Sequence, residues 1–265
     1  NPGQLETWQT SVVVEPELFY ETESGNDQFR FLPFYRYDFE DDARSHFDVR
    51  EATWRRISDQ WDFQFGIGKV FWGVTESQHL IDVINQDDFV EDIDREDKLG
   101  QQMLNLNLYK DWGTVSFFVL PGFRERTFPG PRGRLRAPLT VSEDPVYESS
   151  AQERHTDFAI RYSHYIGDFD FGAYYFYGTG REPRLLLSER GDQLVPHYDI
   201  INQGGLDVQW TKEALLLKLE ALIREGQGDT FAATAAGAEY TFFQIFDTAA
   251  DLGALVEYHW DGRDD

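Results

Sequence analysis

Residues 101–111 read QQMLNLNLYKD, and this stretch decides the fold class. Leucines at positions 104, 106 and 108 alternate with Asn105, Asn107 and Tyr109. Because successive side chains of a strand point to opposite faces, this period of two predicts a β-strand with one apolar and one polar face. The stretch QFRFLPFYRYDF at 28–39 repeats the pattern, with aromatic rings on one face and charged side chains on the other.

The same reading of the whole chain predicts twelve strands and an all-β fold. They lie near 9–23, 27–39, 44–57, 61–72, 101–111, 113–127, 153–166, 169–181, 197–211, 214–226, 230–243 and 251–261. Pro33 and Pro121 interrupt their segments and predict β-bulges, since proline cannot donate a ladder hydrogen bond. Glu51 also breaks the alternation around Val49.

Composition narrows the class of protein further. The 265 residues are 16% aromatic, yet the mean hydropathy is −0.53. Strands that face lipid on one side and a wet lumen on the other need this combination. No apolar run approaches the ~20 residues of a membrane helix. The net charge of −24 argues against nucleic-acid binding, and the absence of Cys is consistent with export to an oxidising envelope.

The lengths of the links between the predicted strands distinguish a membrane barrel from a soluble β-sandwich. Tight turns at 58–60, 110–113, 167–168 and 211–213 alternate with long links at 73–100, 128–152 and 182–196. Outer-membrane barrels have short periplasmic turns and long external loops. Trp61, Trp112, Phe169 and Trp210 lie beside the tight turns, as an interfacial aromatic girdle requires. The sequence therefore predicts an antiparallel transmembrane β-barrel in the bacterial outer membrane.

The alternation of links also assigns strand directions. If 58–60 is periplasmic, both ends of the chain lie outside the cell, whereas an exported barrel begins and ends inside. We therefore expect residues 1–265 to form a single barrel domain that is incomplete at both ends, part of a barrel of 14 to 16 strands.

Several stretches resemble a known protein family. They are KVFWGVTESQHLIDVINQDD at 69–88, EDKLGQQM at 96–103, LPGFRERTFPG at 120–130 and YFYGTGREP at 175–183. In these stretches and across essentially the whole chain, the sequence is similar to largely uncharacterised proteobacterial outer-membrane proteins with a porin-like barrel. The resemblance implies fold and location but no substrate. A more distant likeness to alginate-export and substrate-specific porins rests on barrel form alone, which does not determine function.

The polar faces of the strands provide the candidate pore-lining residues. We expect twelve charged side chains to face the lumen: Arg30, Arg36, Asp38, Asp48, Arg50, Asp157, Arg161, Asp207, Lys218, Glu220, Glu239 and Glu257. Acids and bases on neighbouring strands predict cross-strand salt bridges. These bridges either serve only to satisfy charges that would be costly in lipid, or also set the selectivity of a pore.

Loop 73–100 is the candidate gate. Thr75 could cap a short helix over 76–84, with Leu80, Ile81 and Ile84 forming an apolar stripe. The candidate gate residues are Glu76, His79, Asp82 and Asn85. Such a loop could constrict the lumen, pack on the rim or contact a partner, and the sequence leaves these three alternatives open.

Two charged clusters lie in the predicted external loops. The basic one comprises Arg124, Arg126, Arg132, Arg134 and Arg136, which could attract an anionic solute or pair with the acidic stretch 87–97. The acidic one comprises Asp87, Asp88, Glu91, Asp92 and Asp94. It could keep a loop solvated, or hold a structural divalent cation near lipopolysaccharide through its hard oxygen ligands. No other cofactor is expected.

These features favour a porin-like channel for small polar or anionic solutes. The alternative is a plugged barrel that docks a lipoprotein, a surface polymer or a membrane complex. A minor alternative is a rim hydrolase, since His155 and Asp157 share a strand face, as do His46 and Asp48. No GxSxG motif or metal-ligand spacing of histidines accompanies these pairs, so we expect no enzymatic activity.

Overall fold

The computed structural model describes residues 8–263. The predicted domain also takes in 1–7 and 264–265, which lie outside the described residues. Seventeen strands follow one another along the chain: β1 (Ser11–Val14), β2 (Leu18–Glu21), β3 (Asp27–Asp38), β4 (His46–Ile57), β5 (Trp61–Gly68), β6 (Gln101–Lys110), β7 (Gly113–Pro121), β8 (Thr140–Val141), β9 (Val146–Tyr147), β10 (Thr156–Ile166), β11 (Phe169–Thr179), β12 (Arg184–Leu187), β13 (Gln193–Tyr198), β14 (Ile200–Lys212), β15 (Leu215–Glu225), β16 (Phe231–Phe242) and β17 (Leu252–Asp261).

Thirteen of these strands form one antiparallel sheet. Its order is β1, β3, β4, β5, β6, β7, β10, β11, β14, β15, β16 and β17, with β2 also paired to β3. Apart from β1, each strand on this path pairs with the one that precedes it in this sheet along the chain, across short and long links alike. The prediction of an all-β fold built from about twelve antiparallel strands is confirmed.

Proline accounts for two irregularities in the sheet. The segment expected to form one strand over 9–23 contains Pro16, and the structure divides it into β1 and β2. In β3 the register shifts between Leu32 and Pro33, whose partners are Glu51 and Val49. Arg50 is thus the extra residue of a bulge, which explains why Glu51 breaks the alternation.

The two faces of the sheet have opposite chemistry. Apolar side chains on the outer face are exposed, as in Phe47 (66%), Phe65 (55%) and Ile223 (53%), whereas Asp157 and Glu220 on the inner face are fully buried. A soluble protein places these residue types the other way round. Together with the exposed Trp61, Trp112 and Phe169 beside the short turns, this arrangement identifies the wall of an outer-membrane β-barrel.

All the long links lie at one end of the sheet. The links 58–60, 111–112, 167–168 and 213–214 close the short-turn end, whereas 69–100, 122–155 and 180–199 connect strands at the other end. The long-link end faces the cell exterior in such barrels. The predicted loop 182–196 itself holds strands β12 and β13. They form a second, small sheet with β8 and β9 at this end.

Residues 69–100, named here the inner segment, lie against the inner face of the sheet. Their backbone contains turns, bends and isolated bridges, so the expected helix over 76–84 is wrong. The Ile81 N–H, which a helix over 76–84 would pair with the Ser77 carbonyl, donates instead to the carboxylate of Glu220, and this carboxylate also accepts the Val74 and Thr75 N–H groups that precede the stretch. A donor bound to a distant side chain is not free to form the ladder of a helix. No helix within 8–263 is long and apolar enough to cross a membrane.

Candidate functional site

The inner segment packs on an apolar patch of the sheet's inner face. Trp72, Ile81 and Ile84 are at most 5% exposed and belong to one buried cluster with inward side chains of five strands. From the sheet this cluster includes Met103, Phe118, Leu120, Ala159, Tyr174, Phe176 and Ile201. The ring of Trp72 meets those of Phe118 and Tyr174 at centroid distances of 5.6 and 5.0 Å. This contact places the segment inside the wall rather than on its rim.

Glu220 of β15 is the principal polar anchor. Its Oε1 accepts hydrogen bonds from the Val74 N–H (2.7 Å), the Thr75 N–H (2.9 Å) and the Thr75 hydroxyl (2.7 Å). Its Oε2 accepts one from the Ile81 N–H at 3.1 Å. Because Glu220 is fully buried, these donors replace the water that a carboxylate needs.

Glu257 of β17 provides a second anchor. It accepts the N–H groups of Glu76 (2.7 Å) and Ser77 (2.9 Å), together with the Ser77 hydroxyl. The Ser77 hydroxyl also lies 2.7 Å from Nε2 of His259. Lys218 of β15 pairs with Glu76 and with Glu239 of β16. Three strands near one edge of the sheet therefore hold residues 74–81.

Strands near the other edge hold the opposite side of the inner segment. Arg36 of β3 binds both carboxylate oxygens of Glu91, with Nε 2.8 Å from Oε1. Arg50, the bulge residue of β4, reaches Asp88 at 2.5 Å and Asp48 at 3.1 Å. Since β3 and β17 both contact this one segment, the sheet curls around it.

Asp87 joins several cations within the long links. Its carboxylate lies 2.6 Å from Lys98, 2.6 Å from Arg126 and 3.1 Å from Arg95. Burial opposes its ionisation, but the charges of these cations hold its pKa below the usual range. Burial raises the pKa of Asp82 despite the Lys98 ammonium at 3.2 Å. The contributions of these two aspartates to stability therefore change with pH in opposite directions.

All twelve predicted pore-lining residues lie on the inner face of the sheet, opposite the exposed apolar side chains. That they line a pore stays a prediction. Five of them bind the inner segment through hydrogen bonds or ion pairs, namely Arg36, Arg50, Lys218, Glu220 and Glu257. Arg161 pairs with Asp207 at 2.6 Å, and Asp157 pairs with Arg181 at 2.7 Å. Asp38 binds Arg44 at 3.2 Å. Arg30 contacts Glu17 and Glu51.

The four predicted gate residues occupy different surroundings. Glu76 binds Lys218, and His79 lies 2.9 Å from Glu96. Asn85 is 1% exposed and closes the segment on itself: its amide donates to the carbonyls of Gly68 and Leu99, and its oxygen accepts the Val70 N–H. Asn85 thus fixes both ends of the segment where they leave and rejoin the sheet.

The predicted basic cluster is dispersed. Arg126 binds Asp87 of the acidic stretch, whereas Arg124 turns to Asp48 at 3.0 Å and Arg132 to Glu40 at 2.6 Å. The backbone N–H of Arg134 donates to Gln9, and the Arg136 side chain donates to the carbonyls of Ala137 and Pro138. Pairing with stretch 87–97, one of the two expected uses, is observed for Arg126.

The candidate cation ligands are likewise separated. Asp92 and Asp94 are exposed and accept nearby backbone N–H groups. Asp88 and Glu91 do approach each other, and His46 joins them with all ligand atoms within 4.8 Å. Each of these two carboxylates already binds an arginine, so a cation would have to share or displace that partner.

The histidine pairs considered for a hydrolase have structural partners. His155 Nδ1 lies 2.8 Å from Asp157, but Asp157 also binds Arg181 and the Thr179 N–H. Sequence reasoning missed the Ser77–His259 pair, because its members are 182 residues apart. The Glu257 carboxylate accepts the same Ser77 hydroxyl and therefore competes with His259 for its proton.

One cavity lies at each end of the sheet. At the short-turn end, a space of about 620 Å³ is bordered by Arg161, Ser163, Asp170 and Asp207. At the long-link end, about 160 Å³ is enclosed between the segment, residues 181–182 and strands β15 to β17. The inner segment therefore lines the cavity at the long-link end, whereas strands β7, β10, β11 and β14 contribute to the lining of the other cavity.

Comparisons with known proteins add little beyond this geometry. No protein family and no curated protein matches the chain. It is similar to the in-vitro folded trimer form of OmpT, an outer membrane protein of Vibrio cholerae, with 11% identity over 95% of this chain and 98% of that one and a TM-score of 0.31. The loop L8 deletion mutant of OmpT shows 13% identity, the same coverage and a TM-score of 0.31.

Proposed function

We propose that this outer-membrane barrel protein is a channel for small polar or anionic solutes, with the inner segment as its constriction. The observation that carries the proposal is the inner segment itself, which crosses the interior and is held by charged side chains of β3, β4, β15 and β17. Charged groups that face a narrowed lumen select solutes by sign and size. The proposed role is not enzymatic.

Single-channel recording in planar bilayers tests this function. The chain has no native Cys, so Ser77→Cys introduces one thiol beside the inner segment. A negatively charged thiol reagent should lower the current through this variant. The matched control is Ser58→Cys in a short turn outside the lumen, where the same reagent should leave the current unchanged.

A second recording removes the constriction. Replacing residues 74–84 by a Gly-Ser linker should raise the conductance severalfold. If the intact protein and this variant both stay closed while they remain folded, the channel proposal is wrong.

The second candidate is a plugged barrel that docks a partner. Complete burial of Ile81, Ile84 and Asp88 favours it, because a segment with such contacts is a fixed part of the core. Leu185, Leu186 and Leu187 are exposed on the hairpin at the long-link end, where a partner could bind. An intact barrel that stays closed and opens only in the linker variant, together with a stoichiometric complex that Leu186→Asp abolishes, would support this role.

A further inference from the structure

The cavity at the long-link end has an unusual set of walls. Four guanidinium groups, of Arg95, Arg181, Arg224 and Arg263, border it. Among residues 8–263, three carboxylates do so, those of Asp82, Glu182 and Asp261, in a chain with twice as many acidic as basic residues. The remaining wall combines the apolar side chains of Leu80, Leu222 and Phe231, which lie in one buried cluster, with the polar side chains of Gln78, His79, Thr234 and His259.

Two of the arginines meet at one carboxylate. Nη1 of Arg224 lies 3.3 Å from Oε2 of Glu182, and Nη1 of Arg263 lies 3.6 Å from the same oxygen. Both guanidinium carbons also lie over the ring of Phe231, at 5.5 and 5.0 Å from its centre. The two cations therefore share Glu182 and the ring of Phe231, and Arg263 also binds both carboxylate oxygens of Asp261.

Glu182 is a poor partner for this pair of cations. Charge-assisted N–H···O bonds are usually about 2.7–2.9 Å long, and arginine prefers to bind both oxygens of a carboxylate. Glu182 offers one oxygen at longer distances. Burial opposes its ionisation, yet the charges of Arg95, Arg224, Arg263 and Arg126 lower the pKa of Glu182, which is consistent with a positive potential around it.

We propose that this cavity binds the carboxylate of a small organic anion, which replaces the Glu182 carboxylate between Arg224 and Arg263. The carbon skeleton of the anion then packs against Leu80, Phe231 and Trp260, which also lines the cavity. Once Glu182 swings out, the bound anion supplies the carboxylate that Arg224 and Arg263 lose, while Arg95, Arg181 and Arg263 keep their ion pairs with Asp87, Asp157 and Asp261. This inference deepens the proposed channel function by naming its solute class.

Calorimetric titration of the full chain in nanodiscs with benzoate tests the site. Benzoate should bind, whereas inorganic phosphate, which lacks an apolar body, and benzyl alcohol, which lacks a charge, should bind at least roughly tenfold more weakly. Equal affinity for phosphate and benzoate would replace the carboxylate assignment with a general anion site. Absence of benzoate binding would overturn the proposal.

Three variants locate the binding. Glu182→Gln removes the competing carboxylate and should tighten benzoate binding by roughly tenfold, whereas Arg224→Gln should weaken it by a similar factor. Because Arg224 is 9% exposed and its loss could impair folding, Arg263→Gln at the more exposed position serves as the second test and should also weaken binding. Arg190→Gln, the same change on an exposed hairpin, is the control. Unchanged affinity in folded Glu182→Gln and Arg263→Gln would refute the site.

Calorimetry separates this proposal from the channel proposal, since binding requires no current. A protein that binds benzoate in the expected order but passes no ions supports the site and rejects the channel. A protein that conducts without binding benzoate does the reverse.

Discussion

Removal of the Glu220 carboxylate should release the inner segment from β15. In Glu220→Ala, the N–H groups of Thr75 and Ile81 lose their acceptor while both remain buried. An unsatisfied buried donor costs about 1–3 kcal/mol, so two weaken the attachment by roughly 2–6 kcal/mol. Since about 1.4 kcal/mol corresponds to a factor of ten, local opening becomes at least about 30 times more frequent.

Hydrogen exchange followed by mass spectrometry measures this opening directly. Peptides that cover 74–81 should exchange at least about 30 times faster in Glu220→Ala, while peptides from β6 and β7 keep their rates. Glu220→Gln retains one carbonyl oxygen for Val74 and Thr75 and should show a smaller effect. The matched control is Glu225→Ala, an exposed position on the same strand. Unchanged exchange over 74–81 in a folded Glu220→Ala protein would refute the anchoring role of Glu220.

Two further predictions concern pH and packing. At pH 7, Asp87→Asn should destabilise the inner segment by about 1–3 kcal/mol, because a lowered native pKa gives stability that is present above ~3.9 and is lost as the pH falls through the native pKa. Asp82→Asn should be neutral or stabilising at pH 7, since a raised native pKa means that stability is lost as the pH rises through that pKa. Hydrogen exchange of the two variants at pH 7 and pH 4 checks the sign of both effects. Equal effects of the two substitutions would contradict the prediction. Trp72→Ala should lower the free energy of unfolding by about 3–5 kcal/mol, as measured by thermal unfolding in detergent. Trp112→Ala, at an exposed girdle position, should lower it far less. Similar losses in the two variants would show that the buried cluster does not hold the segment.

Local pattern carries most of the information on the wall. The alternation at 101–111 places Leu104, Leu106 and Leu108 on the outer face, and β6 lies where this pattern predicts. Proline positions indicate where the pattern fails, at the division of β1 from β2 and at the bulge opposite Pro33. These features depend on side-chain period and backbone hydrogen bonding, which are properties of a few consecutive residues.

The contacts in the interior cannot be predicted from local sequence patterns. The apolar stripe at Leu80, Ile81 and Ile84 predicts a helix, but Glu220 captures the N–H groups of the segment from a strand 139 to 146 residues away in the chain. Burial alone decides that competition, since a carboxylate enclosed by the sheet must find donors nearby. No local pattern in 73–100 indicates that these donors would come from it.

The sequence by itself therefore determined the strands, their antiparallel order, the outer-membrane location and the inward charges, because each follows from short-range alternation and link length. Tertiary structure alone decided that the inner segment crosses the lumen, that Arg36 and Arg50 hold one of its sides and Glu220 the other, and that Arg224 meets Arg263 at Glu182. These contacts join residues far apart in the chain, and they exist only because the curled sheet brings its two edges to the same segment.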